Sequence, residues 1–136
     1  MLDILARNKQ ITIVNNIEPQ HSVFADINAV SLIFRNLIGN AIKFTQPNGQ
    51  IVIFSTQNNN KITIGVQDNG VGLSADKLKK FLKSKNAVSE PGTANEQGTG
   101  MGLKLCNEFV TINKGSFWAE SIENTKTTFY FSLPKS

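Results

Sequence analysis

The sequence predicts an α+β fold: a two-layer α/β sandwich whose mixed, mostly antiparallel sheet of about five strands is covered on one face by three helices. Three observations predict it. β-Rich and helix-periodic runs follow one another along 136 residues in the order strand, helix, two strands, helix, loop, helix, two strands. A helical stretch beginning near residue 27 carries one apolar arc wide enough to face a protein core. Paired β-rich runs at 50–68 and 115–134 read as hairpins.

Taken in order, "ITIVNNI" (11–17) reads as a strand and is followed by a turn around Pro19. Asp26 is placed to N-cap a helix of roughly residues 27–45. On that helix Val30, Ile33, Phe34, Leu37, Ile38, Ala41 and Ile42 form the apolar arc. Asn36, Asn40 and Lys43 form a narrow polar stripe, because offsets of four and three return to nearly the same side at about 100° per residue. Asn40 lies where stripe and arc meet. An amide there needs a partner or costs roughly 1–3 kcal/mol, so a ligand, a metal ion or ordered water is expected beside it. The plain structural alternative is that both asparagines cap neighbouring loops.

"QPNG" (46–49) stops the helix. "QIVIFSTQ" (50–57) and "KITIGVQD" (61–68) form an antiparallel hairpin across the asparagines 58–60, with Ile62, Ile64 and Val66 facing the core. After "DNGVGL" (68–73) comes a helix of about ten residues capped by Ser74. Residues 84–100 are poor in large apolar side chains, and a loop of that length in a compact domain usually serves as a lid or binding segment. Helical periodicity returns with Met101, Leu105, Phe109 and Ile112 and ends near Gly115. "GSFWAESI" and "TTFYFSLP" close the chain as a second hairpin.

With 40% hydrophobic residues, positions 1–136 are expected to form one domain that buries a core without staples. The single cysteine, Cys106, excludes an internal disulfide and reads as a buried packing residue in a reducing compartment. The single histidine, His21, sits in a polar connection with no second ligand nearby, which argues against a metal or triad role. The net charge of +4 lies largely in "DKLKKFLKSK" (76–85), with five lysines, and not in Arg-rich or aromatic-interleaved patches, so no nucleic-acid partner is expected. Those lysines form either a solvated helix face or a positive field near a polyphosphate or an acidic partner. No apolar run approaches the roughly 20 residues that span a bilayer, and the first ten residues lack a signal-peptide core. A soluble, cytoplasmic chain is expected, either free or as the cytoplasmic part of a membrane-anchored protein, with no membrane contact by this stretch itself.

Two glycine motifs carry chemistry. In "DNGVGL", Asp68 ends a strand beside two glycines; a carboxylate so placed can accept a hydrogen bond from the exocyclic amine of a base, while the missing side chains let a flat ring approach. "GTGMGL" (98–103) opens a helix, and such a turn presents backbone N–H groups and the positive helix end to phosphate. Its spacing is neither a dinucleotide fingerprint nor a Walker A loop, and alone it is equally well a hinge. The amide stripe, the Asp-Gly turn and the phosphate-type turn gain force by occurring in that order.

In that order they resemble the catalytic and ATP-binding domain of sensor histidine kinases, in the ATPase superfamily that includes DNA gyrase, the ninety-kilodalton heat-shock chaperone and MutL. "NLIGNAIKFT" is similar to the N box, "DNGVGL" to the first glycine box, "GTGMGL" to the second and "TTFYFSLP" to the closing strand. The resemblance covers nearly the whole chain and implies ATP and Mg²⁺ as cofactors. It implies that Asn40, with Asn36, lies at the metal and phosphates, that Lys43 reaches the phosphate chain and that Asp68 accepts from the adenine amine. Gly70, Gly72 and Leu73 would border the base, and Gly98, Thr99, Gly100, Met101, Gly102 and Leu103 would wrap the phosphates. Thr127 or Thr128 would support the adenine end through water, and residues 84–100 would be a flexible ATP lid. The resemblance also implies partners: a dimerisation domain bearing the phosphoacceptor, absent from this sequence, and the receiver domain of a response regulator, with the full-length protein a homodimer.

Two departures stand out. The phenylalanine box is reduced to "KKFLKSK", leaving Phe81, and "IENTKTTF" lacks the glycines of the third glycine box. Relatives that hydrolyse ATP usually carry a general-base glutamate where this chain has Asn36, and an amide cannot take that proton. Asn36 therefore implies phosphoryl transfer to histidine, the alternative being an ATP-binding switch without transferase activity.

Overall fold

The computed structural model describes residues 7, 9–23, 25–70, 102–122 and 125–136. Their elements are β1 (Thr12–Asn16), α1 (Ile27–Phe44), β2 (Gln50–Asn58), β3 (Lys61–Asp68), α2 (Gly102–Ile112), β4 (Ser116–Ile122) and β5 (Lys126–Pro134). The five strands form one sheet in the order β1-β2-β3-β5-β4. β1 runs parallel to β2 because α1 carries the chain back between them; the other three pairs are antiparallel. The mixed five-stranded sheet agrees with expectation. The third expected helix, after Ser74, lies outside the described residues.

Local chemistry sets the element ends. The Asp26 carboxylate accepts from the backbone N–H of Asn28 at 2.7 Å and Ala29 at 3.2 Å, capping α1 as expected. Thr45 closes the other end, its N–H donating to Ala41 O at 2.9 Å, and Asn48 turns the chain with a φ of 68°. Asn58 pairs with Lys61, so β2 and β3 are joined by two residues, with Asn59 at a φ of 56°.

Strand alternation then builds the core. Ile51 and Ile53 of β2 share a sheet face with Ile62, Ile64 and Val66 of β3 and with Phe129, Phe131 and Leu133 of β5. Ile33, Leu37, Ala41 and Ile42 of α1 descend onto this face, and all are buried. Phe34 meets Phe131 edge to face at 5.4 Å. The opposite face carries one cross-strand row of Phe54, Gly65, Tyr130 and Trp118. The Phe54 ring occupies the space over Gly65, where a Cβ would come within 2.3 Å of it.

On α2, Cys106 is fully buried as expected, together with Val110, and Phe109 packs partly buried against the core, while Ile112 is 74% exposed. Cys106 and Val110, four apart, face both α1 and the sheet, whereas Ile112, two residues after Val110, points about 200° around the helix from it and so to the opposite side. Among the described residues no helix is long and apolar enough to cross a membrane.

Leu37→Ala should cost about 3 kcal/mol, because Leu37 is fully buried at the centre of the α1–sheet contact. Ile27→Ala, at a position 79% exposed, should change stability by less than about 0.5 kcal/mol. Urea unfolding of the two variants checks the pair.

Candidate functional site

The site is built where the C-terminal half of α1 meets the end of β3. Asp68 is the last residue of β3 and, by strand alternation, lies on the helix-covered face. It is only 2% exposed. Its Oδ1 accepts from the Gly70 N–H at 2.9 Å. Burial pushes the carboxyl up to about 6, with the Gly70 hydrogen bond working in the opposite direction. Gly70 has no room for a side chain: a Cβ would lie 2.2 Å from the Phe44 carbonyl oxygen, so the turn after Asp68 rests directly on the end of α1. Asn40 is one helical turn before Phe44, which brings the amide stripe and the carboxylate to the same end of the molecule.

Asn36 and Asn40 are half-buried. The Asn36 side chain hydrogen-bonds the Cys106 thiol, whose proton burial holds in place up to about 12. Cys106 also approaches Ile33 O at 3.8 Å, and Asn113, just past α2, accepts from the Asp26 N–H at 3.4 Å. Positions rise along α1 as they fall along α2, so the helices are antiparallel. The start of α2, at Gly102, therefore lies toward the Asn36–Asn40 part of α1. Lys43 is buried, with its Nζ 5.1 Å from the Phe44 ring centroid.

Register separates the two threonines. Thr127 is the cross-strand partner of Asp68 and shares its face, with its hydroxyl 2.8 Å from Ser121 Oγ. Thr128 lies on the opposite face and donates to Gln67 Oε1 at 3.3 Å. Gly72, Leu73, Gly98, Thr99, Gly100 and Met101 lie outside the described residues, as do Phe81 and the lid; Gly102 and Leu103 are described as the backbone that opens α2. His21 Nδ1 is 2.8 Å from Ser55 Oγ. Among the described residues no group of three His, Cys, Asp or Glu is arranged to hold a metal ion. The Asn36 and Asn40 side chains offer neutral amide oxygens, a donor type that Mg²⁺ accepts.

Sequence reasoning missed Lys9 and Asn69. Lys9 is buried against the end of α1, and Asn69 mimics a strand partner, donating from N to Gln50 O at 3.2 Å and accepting from Gln50 N at Oδ1 at 2.8 Å. Asn69 had one signal, its place in "DNG"; Lys9 had none.

The family model for histidine kinase-, DNA gyrase B- and HSP90-like ATPases matches residues 25–136. The chain belongs to this ATPase family. It is 33% identical over 130 residues to the sensor protein kinase WalK of Staphylococcus epidermidis, covering 93% of this chain and 21% of that protein. WalK of Staphylococcus haemolyticus is 32% identical over the same shares. The chain thus spans about a fifth of the length of these curated relatives. Among solved structures, the nucleotide-free catalytic domain of histidine kinase ThkA superposes with a TM-score of 0.82 at 26% identity, covering 98% of this chain and 85% of that chain. Full-length ShkA in complex with AMPPNP shares the fold, with a TM-score of 0.81 at 22% identity over 99% of this chain and 28% of that chain.

The raised pKa of Asp68 has a definite sign. Below about pH 4 the carboxyl is neutral in the folded and unfolded chain alike; between about 4 and 6 the folded chain holds an extra proton, so stability falls as pH rises through this window. Above about 6 the full cost of the buried charge is present, on the order of 3 kcal/mol. Asp68→Asn should therefore match the unaltered chain near pH 4 and exceed its stability by up to about that amount at neutral pH. Urea unfolding across the range measures the difference, and parallel curves would contradict the assignment.

Proposed function

We propose that this domain binds Mg-ATP and passes its γ-phosphoryl group to a histidine on a separate dimerisation domain, as the catalytic part of a two-component sensor kinase. The buried carboxylate of Asp68, seated against the end of the amide-bearing helix, is the observation that carries the reading. A carboxylate kept in so apolar a place costs stability, and a donor from a ligand would offset that cost. The adenine amine is such a donor. Gly70 and Gly72 would give the ring room, Leu73 would border it, and Thr127, across from Asp68, is better placed than Thr128 for water-mediated support.

Asn40, with Asn36, would hold Mg²⁺, and Lys43 would meet the phosphate chain. The backbone of Gly98, Thr99, Gly100, Met101, Gly102 and Leu103 would enclose the phosphates, because a glycine turn opening a helix offers N–H donors where no side chain intrudes. When bound, Mg²⁺ neutralises charge on the β- and γ-phosphates. A neutral imidazole nitrogen of the acceptor attacks the γ-phosphorus, the bond to the β–γ bridging oxygen breaks, ADP leaves and the acceptor ring sheds its other N–H proton. No general base is needed to create the nucleophile, which is why an amide at position 36 suits transfer better than hydrolysis. Partners are the dimerisation domain and a response regulator receiver domain. The full-length protein would be a homodimer, with this part in the cytoplasm.

Asp68→Asn should weaken ATP binding by about tenfold or more, since an acceptor becomes partly a donor facing a donor. Asn40→Asp should leave the fold intact and change the Mg²⁺ dependence of binding. Calorimetric titration with and without Mg²⁺ checks both, and unchanged affinity in both variants would discredit the pocket. With γ-labelled ATP and a dimerisation domain supplied in trans, label should appear on that domain's histidine and not stably on His21.

A further inference from the structure

Lys9 is a cation that the proposed chemistry does not use, yet it is only 8% exposed. Its Nζ donates to the carbonyl oxygens of Ile42 at 2.9 Å, Lys43 at 3.1 Å and Thr45 at 3.0 Å. A helix leaves its last carbonyls without intrahelical partners, and a positive charge there also suits the helix dipole. Lys9 thus caps α1 from 33 residues away in sequence.

The position of these bonds makes the cap more than a fastening. They bracket Phe44, whose carbonyl is the surface on which Gly70 rests, and Gly70 in turn donates the hydrogen bond that orients Asp68 Oδ1. A second path runs through the backbone. Lys9 O accepts from Asn48 N at 2.8 Å, next to Gly49, whose α-carbon faces Thr45 Cγ2 and Asn69 Oδ1. Asn69 lies between Asp68 and Gly70 and is tied to Gln50. Residues on both sides of the Asp68 turn are therefore set by contacts that lead back to Lys9.

We infer that Lys9 is a positioning residue for recognition of the base: through the end of α1 it sets the Asp68 carboxylate at the distance and angle that the 6-amine of adenine requires. The inference rests on the nucleotide reading above and adds to it a residue outside the pocket, in the segment leading into β1. Tight packing passes on such a displacement, because the turn has no slack against the Phe44 carbonyl.

The test compares ATP with purine riboside triphosphate, which lacks only the 6-amine, so the ratio of their affinities reports the contacts of that amine, for which Asp68 is the proposed acceptor. Calorimetry on the 136-residue chain, well below the melting point of each variant, should show this ratio about tenfold smaller in Lys9→Met than in the unaltered chain. A lysine that merely holds the fold would lower the melting temperature and leave the ratio of the folded protein unchanged; that result overturns the inference. Should Lys9→Met not fold, ¹⁵N-lysine spectra of the unaltered chain decide the matter, since coupling is reciprocal. The Lys9 Nζ resonance should move on saturation with ADP and less than half as far with purine riboside diphosphate; equal movement overturns the inference. If the unaltered chain binds neither triphosphate, the nucleotide reading itself fails, and this inference with it.

Discussion

A carboxylate buried at the end of a strand is the constraint on which the rest of the arrangement depends. Asp68 is almost wholly removed from water and has one described protein hydrogen bond, from Gly70 N. Such a group persists only where its surroundings are over-determined, because a buried charge with freedom to relax would draw in water or move out to meet it. Here the freedom is removed from three sides. Strand pairing fixes Asp68 between Ile51 and Thr127, the Phe44 carbonyl fixes the turn beyond it, and Asn69 closes the edge against Gln50.

The topology explains why these groups meet. α1 crosses over from β1 to β2 and ends beside the point where β3 also ends, so a helix C-terminus and a strand C-terminus share one rim of the sheet. α2 runs antiparallel to α1 and begins on that same rim. Three chain segments far apart in sequence thereby converge at one edge of the two-layer core, while the apolar faces of both helices are spent on the sheet. Similarity to the ThkA catalytic domain over nearly the full chain is consistent with a scaffold of this kind.

Much of this was legible from residue order, for identifiable reasons. The α1 arc, the Asp26 cap and the β2–β3 hairpin rest on local periodicity and turn chemistry, and all appear where the pattern put them. Which threonine shares a face with Asp68 was not legible, because that depends on register: one residue of slip exchanges Thr127 for Thr128. Ile112 is exposed although it continues the apolar period of Leu105 and Phe109, because period alone cannot say how far around a helix its partners reach. Lys9 was invisible for a deeper reason. Its burial follows from contacts more than thirty residues away, and an isolated lysine before a strand has the same local pattern whether it is solvated or capped onto a helix.

That hidden lysine resolves an electrostatic difficulty in the site. The C-terminal end of a helix is its negative pole, carrying carbonyl oxygens and roughly half an elementary charge, an unfavourable neighbour for a polyphosphate. The amide stripe nevertheless sits on the C-terminal half of α1. Lys9 takes up the carbonyls of Ile42, Lys43 and Thr45, and Lys43 lies in the final turn, so positive charge offsets the pole. The N-terminal pole of α2, positive by the same reasoning, faces the rim from the other side. On the proposed nucleotide reading, the rim would thus offer the phosphates one helix end that attracts them and another whose repulsion Lys9 offsets from within the fold.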